Sequence, residues 1–202
     1  VQADWQPLLR SEDEGVHTQV YMDGRDAYHF VMTVDGRVGQ WMCVDFRREV
    51  EEAACRVSGD ASMQLFALNN ALMLLFALRS ATRQTLLFHA SVIRHQGGGY
   101  LFLGKSGTGK STHSRLWLEH IAGCELLNDD NPVVRMMEDR PWVYGTPWSG
   151  KTPCYKNERV PVGGVVRLWQ ASENRMERLG TLQAYAALLP TVSNMRWERP
   201  QA

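Results

Sequence analysis

The chain has 202 residues, of which 44% are hydrophobic, and its 22 basic residues balance 22 acidic ones to give a formal net charge of zero. This is the composition of an ordinary globular protein, long enough for one sizeable domain or for a domain with a small appendage. The neutral charge balance gives no electrostatic support for nucleic-acid binding. Four widely spaced cysteines without a C-x-x-C pair are too few for a disulfide scaffold, and we expect buried thiols.

Residues 1–60 have the pattern of a small antiparallel β meander. The segment VHTQVYMDGRDAYHFVMTVDGRVGQWMCVDF is rich in strand-forming residues and contains two Asp-Gly pairs, Asp23 with Gly24 and Asp35 with Gly36. Asp-Gly favours a tight hairpin turn because glycine readily adopts positive φ angles. We predict that each pair joins two neighbouring strands.

A long connecting helix is predicted over residues 61–84, which are rich in Leu, Met, Ala and Phe and contain no glycine or proline. Its most apolar part, ALMLLFAL at residues 71–78, is eight residues long, whereas a membrane span needs about 20. No basic segment followed by an apolar one opens the chain. We therefore expect a buried helix, no membrane contact and a cytoplasmic location.

The remaining region, residues 85–202, starts with a second hairpin that leads into a glycine-rich turn. The strands LLFHASVI (86–93) and YLFLG (100–104) are joined by RHQGGG. In the commonest phosphate-binding folds the strand before such a turn lies in a parallel sheet, but a hairpin requires an antiparallel partner. We therefore predict an α/β fold that leans towards α+β, with a β-rich nucleotide-binding core.

The sequence GKSGTGKS at residues 104–111 fits the pattern G-x-x-x-x-G-K-[ST] without a mismatch. Glycines allow the backbone to curl around an anion and to point successive N–H groups inward. Lys110 can then reach the β- and γ-phosphates, and the hydroxyl of Ser111 can bind Mg²⁺. The alternative is a glycine-rich hairpin turn that binds nothing. The predicted phosphate-binding residues are Gly104, Ser106, Gly107, Thr108, Gly109, Lys110, Ser111 and Thr112.

Two adjacent carboxylates, Asp129 and Asp130, follow a short apolar strand in ELLNDDNPVV. Such a pair is costly to hold together unless solvent, a proton or a cation separates the charges, and Mg²⁺ would supply the cation. One aspartate would then bind the metal and the other would be the general base for an attacking hydroxyl. Asp130 is our candidate metal ligand, although the sequence leaves the assignment within the pair open. The alternative is a polar turn before Pro132.

His89 lies in the apolar strand LLFHASVI, which the hairpin brings beside the strand that precedes the phosphate loop. From there its imidazole can contact the acid pair or the phosphates. The alternative is a structural histidine held by hydrogen bonds. The later segment VYGTPWSGKTPCYKNERVPVGG contains Lys151, Lys156 and Arg159. It is either a loop that closes over the site with a basic side chain on the phosphate, or a solvated surface loop.

Four segments in this order, FHASVI, LFLGKSGTGKST, LLNDDNPVV and YGTPWSGK, resemble the HPr kinase/phosphorylase-like and phosphoenolpyruvate carboxykinase-like group, particularly its short bacterial members. The resemblance covers residues 85–190 and implies a β-rich core with a phosphate loop, together with phosphoryl transfer from ATP in the presence of Mg²⁺. It implies catalytic roles for Asp129, Asp130, His89 and Lys110, with the metal on Ser111 and one acid of the pair. Related kinases form oligomers, so a homo-oligomer is also implied.

The sequence departs from this group in three respects. GTPWSGK replaces the glycine-rich signature that follows the acid pair in HPr kinases, which argues against HPr as the substrate. The arginines that bind the carboxylic acid in carboxykinases cannot be placed here. Relatives also continue beyond the final MRWERPQA, so the sequence leaves open whether the site is complete.

We therefore predict an ATP- and Mg²⁺-dependent kinase that phosphorylates a hydroxyl of a small molecule, peptide or protein. One alternative is a nucleotide-binding regulatory module without phosphoryl transfer. Another is an ATPase or GTPase that transfers phosphate to water alone. These functions share the phosphate loop, and they differ in what the acid pair is required to do.

Overall fold

The computed structural model describes residues 4–13, 15–47, 50–150 and 152–193; Lys151 and the final MRWERPQA lie outside these ranges. Contacts divide the chain into two compact units, one up to Arg79 and the other comprising Ser80–Ser193. Strand residues outnumber helical ones, 40% against 23%, so the fold is β-rich. This composition agrees with the predicted α+β character.

The first unit contains a five-stranded antiparallel meander in chain order, formed by β1 (Gln6–Asp13), β2 (Val16–Met22), β3 (Tyr28–Val34), β4 (Trp41–Phe46) and β5 (Ala53–Ser58). The predicted meander is confirmed. Gly36 has a φ of 71°, as the Asp-Gly turn requires. The other turn differs from the prediction because Asp26, rather than Gly24, has the positive φ, 58°. There the Asp23 carboxylate accepts two backbone N–H groups of its own loop, at 2.8 and 3.0 Å.

One helix, α1 (Ala61–Ala81), packs on this sheet and lies within the predicted range. Asp60 begins it as an N-cap, since its Oδ1 accepts the backbone N–H of Met63 at 2.9 Å. Small or flexible side chains on one face enter the core of the unit, namely Met63, Ala67, Ala71 and Leu78.

The other face of α1 is apolar and exposed, so the prediction of a buried helix is only half right. Its exposed side chains are Leu65, Leu68, Leu72 and Phe76. By length and composition alone, α1 is apolar enough to cross a membrane, and 28% of the relevant window is buried. Core helices of soluble proteins pass the same test, so this feature does not assign a location.

The second unit contains an eight-stranded mixed sheet and two helices. The sheet order is β13-β6-β10-β11-β12-β8-β7-β9. The strands are β6 (Thr85–Phe88), β7 (Ala90–His95), β8 (Gly98–Leu103), β9 (Glu125–Asn128), β10 (Val133–Met137), β11 (Arg140–Tyr144), β12 (Arg159–Arg167) and β13 (Val192–Ser193). The helices are α2 (Lys110–His120) and α3 (Thr181–Leu188), and a 3-10 turn, Leu189–Thr191, follows α3.

The predicted hairpin before the glycine-rich loop is present as β7 and β8, which pair antiparallel. Gln96 and Gly97 form its turn with φ values of 47° and 75°. Two positive φ angles in succession match the type I′ turn that suits the twist of a hairpin. The antiparallel partner inferred for β8 is therefore confirmed.

The prediction of LLFHASVI as one strand is wrong, because the strand is interrupted at His89. The backbone N–H groups of His89 and Ala90 do not take part in the strand pairing. The N–H of His89 donates to the carbonyl of Thr191 at 2.7 Å, and that of Ala90 donates to the carbonyl of Asp130 at 2.9 Å. β6 then pairs with β10, whereas β7 pairs with β8 and β9. The break places His89 between two parts of the sheet.

The sheet must curl, because β6 and β7 are consecutive in the chain but five positions apart in the sheet order. In a flat sheet five steps would separate them by about 24 Å, far more than one intervening residue can span. The core of the unit brings together side chains from both parts, including Phe88, Val92, Leu101, Leu127, Val143 and Val160. Helix α2 packs next to β7 and β8. The ring centroids of Phe102 on β8 and His113 on α2 are 4.6 Å apart, in an edge-to-face arrangement.

Candidate functional site

The glycine-rich loop, residues 104–111, joins the end of β8 to the start of α2. Gly107 and Gly109 have φ values of 77° and 100°, a backbone conformation that favours glycine. A Cβ atom on Gly104 would lie 2.3 Å from the Oγ1 atom of Thr108, so a side chain there would displace the loop. The glycines are thus required by the path of this loop.

The loop ends at the N-terminus of α2, where Gly109 precedes the helix without a side-chain cap. The first N–H groups of a helix have no intrahelical acceptors and, together with the helix dipole, favour an anion. The side chains of Ser111 and Thr112 are exposed at this end. The predicted phosphate-binding residues therefore lie together around one helix N-terminus.

Lys110 is buried, with 8% of its surface exposed. Its Nζ atom donates to the carbonyl oxygens of Gly104 at 3.0 Å and Lys105 at 3.3 Å, which belong to its own loop. It also lies 2.9 Å from Nε2 of His89. Because an ammonium group can only donate, Nε2 accepts and the imidazole carries its proton on Nδ1.

The other ring nitrogen of His89 continues this line of contacts to the acid pair. Nδ1 lies 3.1 Å from Oδ1 of Asp130 and can donate its proton to that oxygen. The second oxygen, Oδ2, accepts the side-chain amide of Asn131 at 2.7 Å. The side chains of His89 and Asp130 remain 41% and 31% exposed, so a substrate can reach both. The structure therefore joins three predicted catalytic residues in the order Lys110, His89, Asp130.

Asp129 has different surroundings and is only 5% exposed. Its Oδ1 accepts the hydroxyl of Ser91 at 3.1 Å, and that hydroxyl lies 2.7 Å from the hydroxyl of Ser114 on α2. Its Oδ2 is buried and has no hydrogen-bond partner among the residues that the structure describes. A buried charged oxygen without a partner is costly, and a cation would relieve that cost. The two aspartates are thus not equivalent.

The loop after β11 is fastened to the acid-pair segment by Thr146. The Oγ1 atom of this buried residue donates to the carbonyl of Asn131 at 2.8 Å. The same oxygen accepts the side-chain amide of Asn128 at 3.0 Å and the backbone N–H of Trp148 at 3.2 Å. One hydroxyl therefore links the segments before and after the aspartates to the loop.

Gly150 brings the same loop against the aspartates themselves. A Cβ atom at this position would lie 3.2 Å from both the carbonyl oxygen of Asp129 and the Cβ atom of Asp130. Contacts this close leave little room for any larger residue. The close approach gives a physical reason for glycine in the GTPWSGK segment.

Of the three basic residues predicted for this loop, Lys151 lies outside the described residues, and the other two make contacts away from the aspartates. Lys156 lies 3.2 Å from a carboxylate oxygen of Glu125. Arg159 is the first residue of β12, so the prediction that it belongs to the loop is wrong. Its guanidinium group lies over the ring of Trp142 and donates to the hydroxyl of Tyr144 at 3.1 Å. These contacts favour the surface-loop interpretation for both side chains.

Sequence reasoning missed four residues that shape the site: Ser91, Ser114, Thr146 and Gly150. A pattern in the sequence could have indicated the first two. Ser91 is a polar residue at an inward position of the apolar strand β7, and Ser114 follows Lys110 by one helical turn on the same face. Thr146 and Gly150 lie in the YGTPWSGK segment that carries part of the resemblance, but their individual roles depend on loop geometry that the segment does not reveal.

A second polar cluster lies on the five-stranded sheet of the first unit. Nδ1 of His29 and Oδ1 of Asp45 are 2.7 Å apart, and the Cys43 thiol donates to the same oxygen at 3.3 Å. These three ligand types lie close enough to hold a metal ion. However, the Arg56 guanidinium donates to Asp45 at 3.0 and 3.1 Å and already supplies the positive charge. Burial raises the pKa of Cys43 to about 12, which also disfavours the thiolate that a metal needs.

Comparison with known proteins adds no family assignment: no family model matches the sequence, and no curated protein matches it significantly. The resemblance to the HPr kinase-like group therefore depends on the four motif segments alone. It stays a prediction.

Proposed function

We propose that the Ser80–Ser193 unit is an ATP- and Mg²⁺-dependent phosphotransferase that acts on a hydroxyl group. The main support is the convergence of the phosphate loop, His89 and the acid pair: Lys110 Nζ lies 2.9 Å from His89 Nε2, and His89 Nδ1 lies 3.1 Å from Asp130 Oδ1. Transfer to a hydroxyl needs an anion site next to a proton acceptor. This arrangement would supply both.

The loop and the N-terminus of α2 would hold the phosphates through backbone N–H groups. Lys110 would exchange its contact with His89 for the β- and γ-phosphate oxygens, which offer a charge-assisted hydrogen bond. The His89 Nε2 atom would then face the phosphates. Through this one lysine, nucleotide binding would change the hydrogen-bond partner of His89 Nε2.

The residues that would hold Mg²⁺ are Ser111, through its exposed hydroxyl, and Asp129, through the buried Oδ2 that lacks a partner in the described part of the chain. The sequence favoured Asp130 as the ligand, but both oxygens of Asp130 already have partners. When bound, Mg²⁺ supplies positive charge that neutralises the charge developing on the phosphates. The donor set of hydroxyl and carboxylate oxygens fits this hard cation.

Asp130 would be the general base that accepts the proton of the attacking hydroxyl. Its partial exposure allows contact with an acceptor, while the bonds from His89 and Asn131 fix the orientation of the carboxylate. His89 would act as a positioning residue that holds one oxygen through Nδ1–H. The two aspartates then divide metal binding and base chemistry between them.

The test is a transfer assay with γ-labelled ATP, Mg²⁺ and a panel of hydroxyl acceptors, namely serine, sugars and serine-containing peptides. We expect label transfer by the wild-type protein and none by Asp130→Asn, which should still bind ATP within about threefold of wild type because it leaves the phosphate loop intact. Asp139→Asn is the matched control, since Asp139 is an exposed turn residue.

The same assay separates the alternatives. Phosphate release to water without transfer to any acceptor would indicate an ATPase. ATP binding without turnover of any kind would indicate a regulatory module. Full transfer by both single variants, Asp129→Asn and Asp130→Asn, would refute the proposed mechanism.

A further inference from the structure

The segment that follows β12 lies beside the phosphate loop. β12 and β8 are the parallel pair among the strand pairings of the described residues, with Arg167 opposite Leu103. Because the two strands run in the same direction, β8 and β12 end at the same edge of the sheet. The chain leaving β12 therefore emerges next to the chain that enters the phosphate loop.

Two hydrogen bonds fasten this segment to the loop region. The backbone N–H of Leu168 donates to the carbonyl of Leu103 at 2.8 Å, directly before the loop. The side-chain amide of Gln170 donates to the carbonyl of Gly107 at 3.2 Å, within the loop. Trp169 lies between these two attachments, so its backbone is held at the rim of the phosphate site.

Trp169 is 76% exposed. The guanidinium of Arg167 lies 5.0 Å from the ring centroid, and Arg167 is itself fixed by a 2.9 Å hydrogen bond from Nη1 to the carbonyl of Ala187. The guanidinium therefore covers one face of the ring, and the other face is exposed. A large aromatic surface held in this way is pre-organised for stacking.

We propose that Trp169 is the binding platform for the aromatic base of the nucleotide, an inference that rests on the function proposed above. Phosphates held at residues 104–111 leave the ribose and base to extend over the rim of the site. The base would stack on the open face of the indole. Every nucleobase has such a face, so Trp169 would contribute affinity for the base rather than discrimination between bases.

The experiment compares two ligands, Mg²⁺-ATP and Mg²⁺-triphosphate, by calorimetric titration into wild-type protein, Trp169→Ala and Trp169→Phe. Triphosphate contains the phosphates but no base, and it isolates the contribution of the phosphate loop. Tyr185→Ala is the matched control because it removes another exposed aromatic side chain, on α3. Since Trp169 is mostly exposed, its truncation should leave the fold intact.

We expect wild type to bind ATP more tightly than triphosphate, and Trp169→Ala to lose about tenfold in ATP affinity with unchanged triphosphate affinity. Trp169→Phe should recover most of the loss, and Tyr185→Ala should behave as wild type. If wild type binds ATP but Trp169→Ala binds it equally well, or if wild type binds both ligands equally, the base platform is refuted while the phosphate site stands. If wild type binds neither ligand, the proposed function fails as well.

Discussion

Asp129→Asn should stabilise the protein in the absence of Mg²⁺ and nucleotide while impairing its function. The substitution keeps an oxygen that can accept the Ser91 hydroxyl, which lies 3.1 Å from Oδ1 in the wild type. It removes the charge from a side chain that is 5% exposed and whose Oδ2 has no partner in the described ranges. Functional sites commonly retain such unfavourable groups because the ligand needs them.

The size of the effect follows from the cost of a buried polar atom without a partner, about 1–3 kcal/mol and more for a charged one. The asparagine N–H₂ group is also buried but carries no charge, so we expect a net gain of about 1–2 kcal/mol. For a unit of this size that gain corresponds to a rise of about 5 °C in the midpoint of thermal unfolding. With saturating Mg²⁺ and ATP the wild type should become more stable than Asp129→Asn. A ligand at 100 times its Kd stabilises the wild type by about 2.7 kcal/mol.

The assay is thermal unfolding of wild type and Asp129→Asn, each with and without Mg²⁺-ATP. Asp130→Asn is the contrasting variant, since both Asp130 oxygens have partners, His89 and Asn131. It should lose stability in the absence of ligand. A lower unfolding midpoint for Asp129→Asn without ligand would refute the reasoning, because it would mean that the carboxylate is satisfied in the ligand-free protein.

Two further predictions concern the surroundings of the site. Thr146→Val should lower the free energy of unfolding, measured by urea titration, by about 1–3 kcal/mol. The substitution leaves the Asn128 side chain and the Asn131 carbonyl without the hydroxyl that both contact. Thr146→Ser keeps that hydroxyl and should retain most of the stability. Burial holds the pKa of His113 below 6.5, so the unfolded chain takes up a proton first and stability falls as the pH drops below about 6.5. His113→Gln should reduce that fall, and an unchanged pH dependence would contradict the assignment.

Local sequence patterns predicted the elements that depend on local chemistry. The N-terminal meander, the long helix and the hairpin before the glycine-rich loop follow from alternation, helix propensity and turn residues, and each is present. The glycine spacing at residues 104–111 likewise identified the loop, because steric requirements of the backbone appear directly as glycine.

Features that depend on distant segments could not be predicted in this way. The break at His89 arises because backbone groups of residues 89 and 90 pair with Thr191 and Asp130, which lie far along the chain. The different surroundings of Asp129 and Asp130 arise in the same way, through contacts with Ser91 and with His89 respectively. Adjacent side chains diverge in space, and only the folded chain specifies what each one meets.

The most direct test of the central claim, that residues 104–111 and Lys110 form a phosphate site, is calorimetric titration of Mg²⁺-ATP into wild type, Lys110→Ala and Lys105→Ala. We expect binding by wild type and a loss of about 10- to 100-fold in Lys110→Ala, the value of a charge-assisted hydrogen bond. Lys105→Ala should bind as wild type, because the exposed Lys105 takes part through its backbone carbonyl. No binding by wild type, or equal binding by Lys110→Ala, would contradict the account.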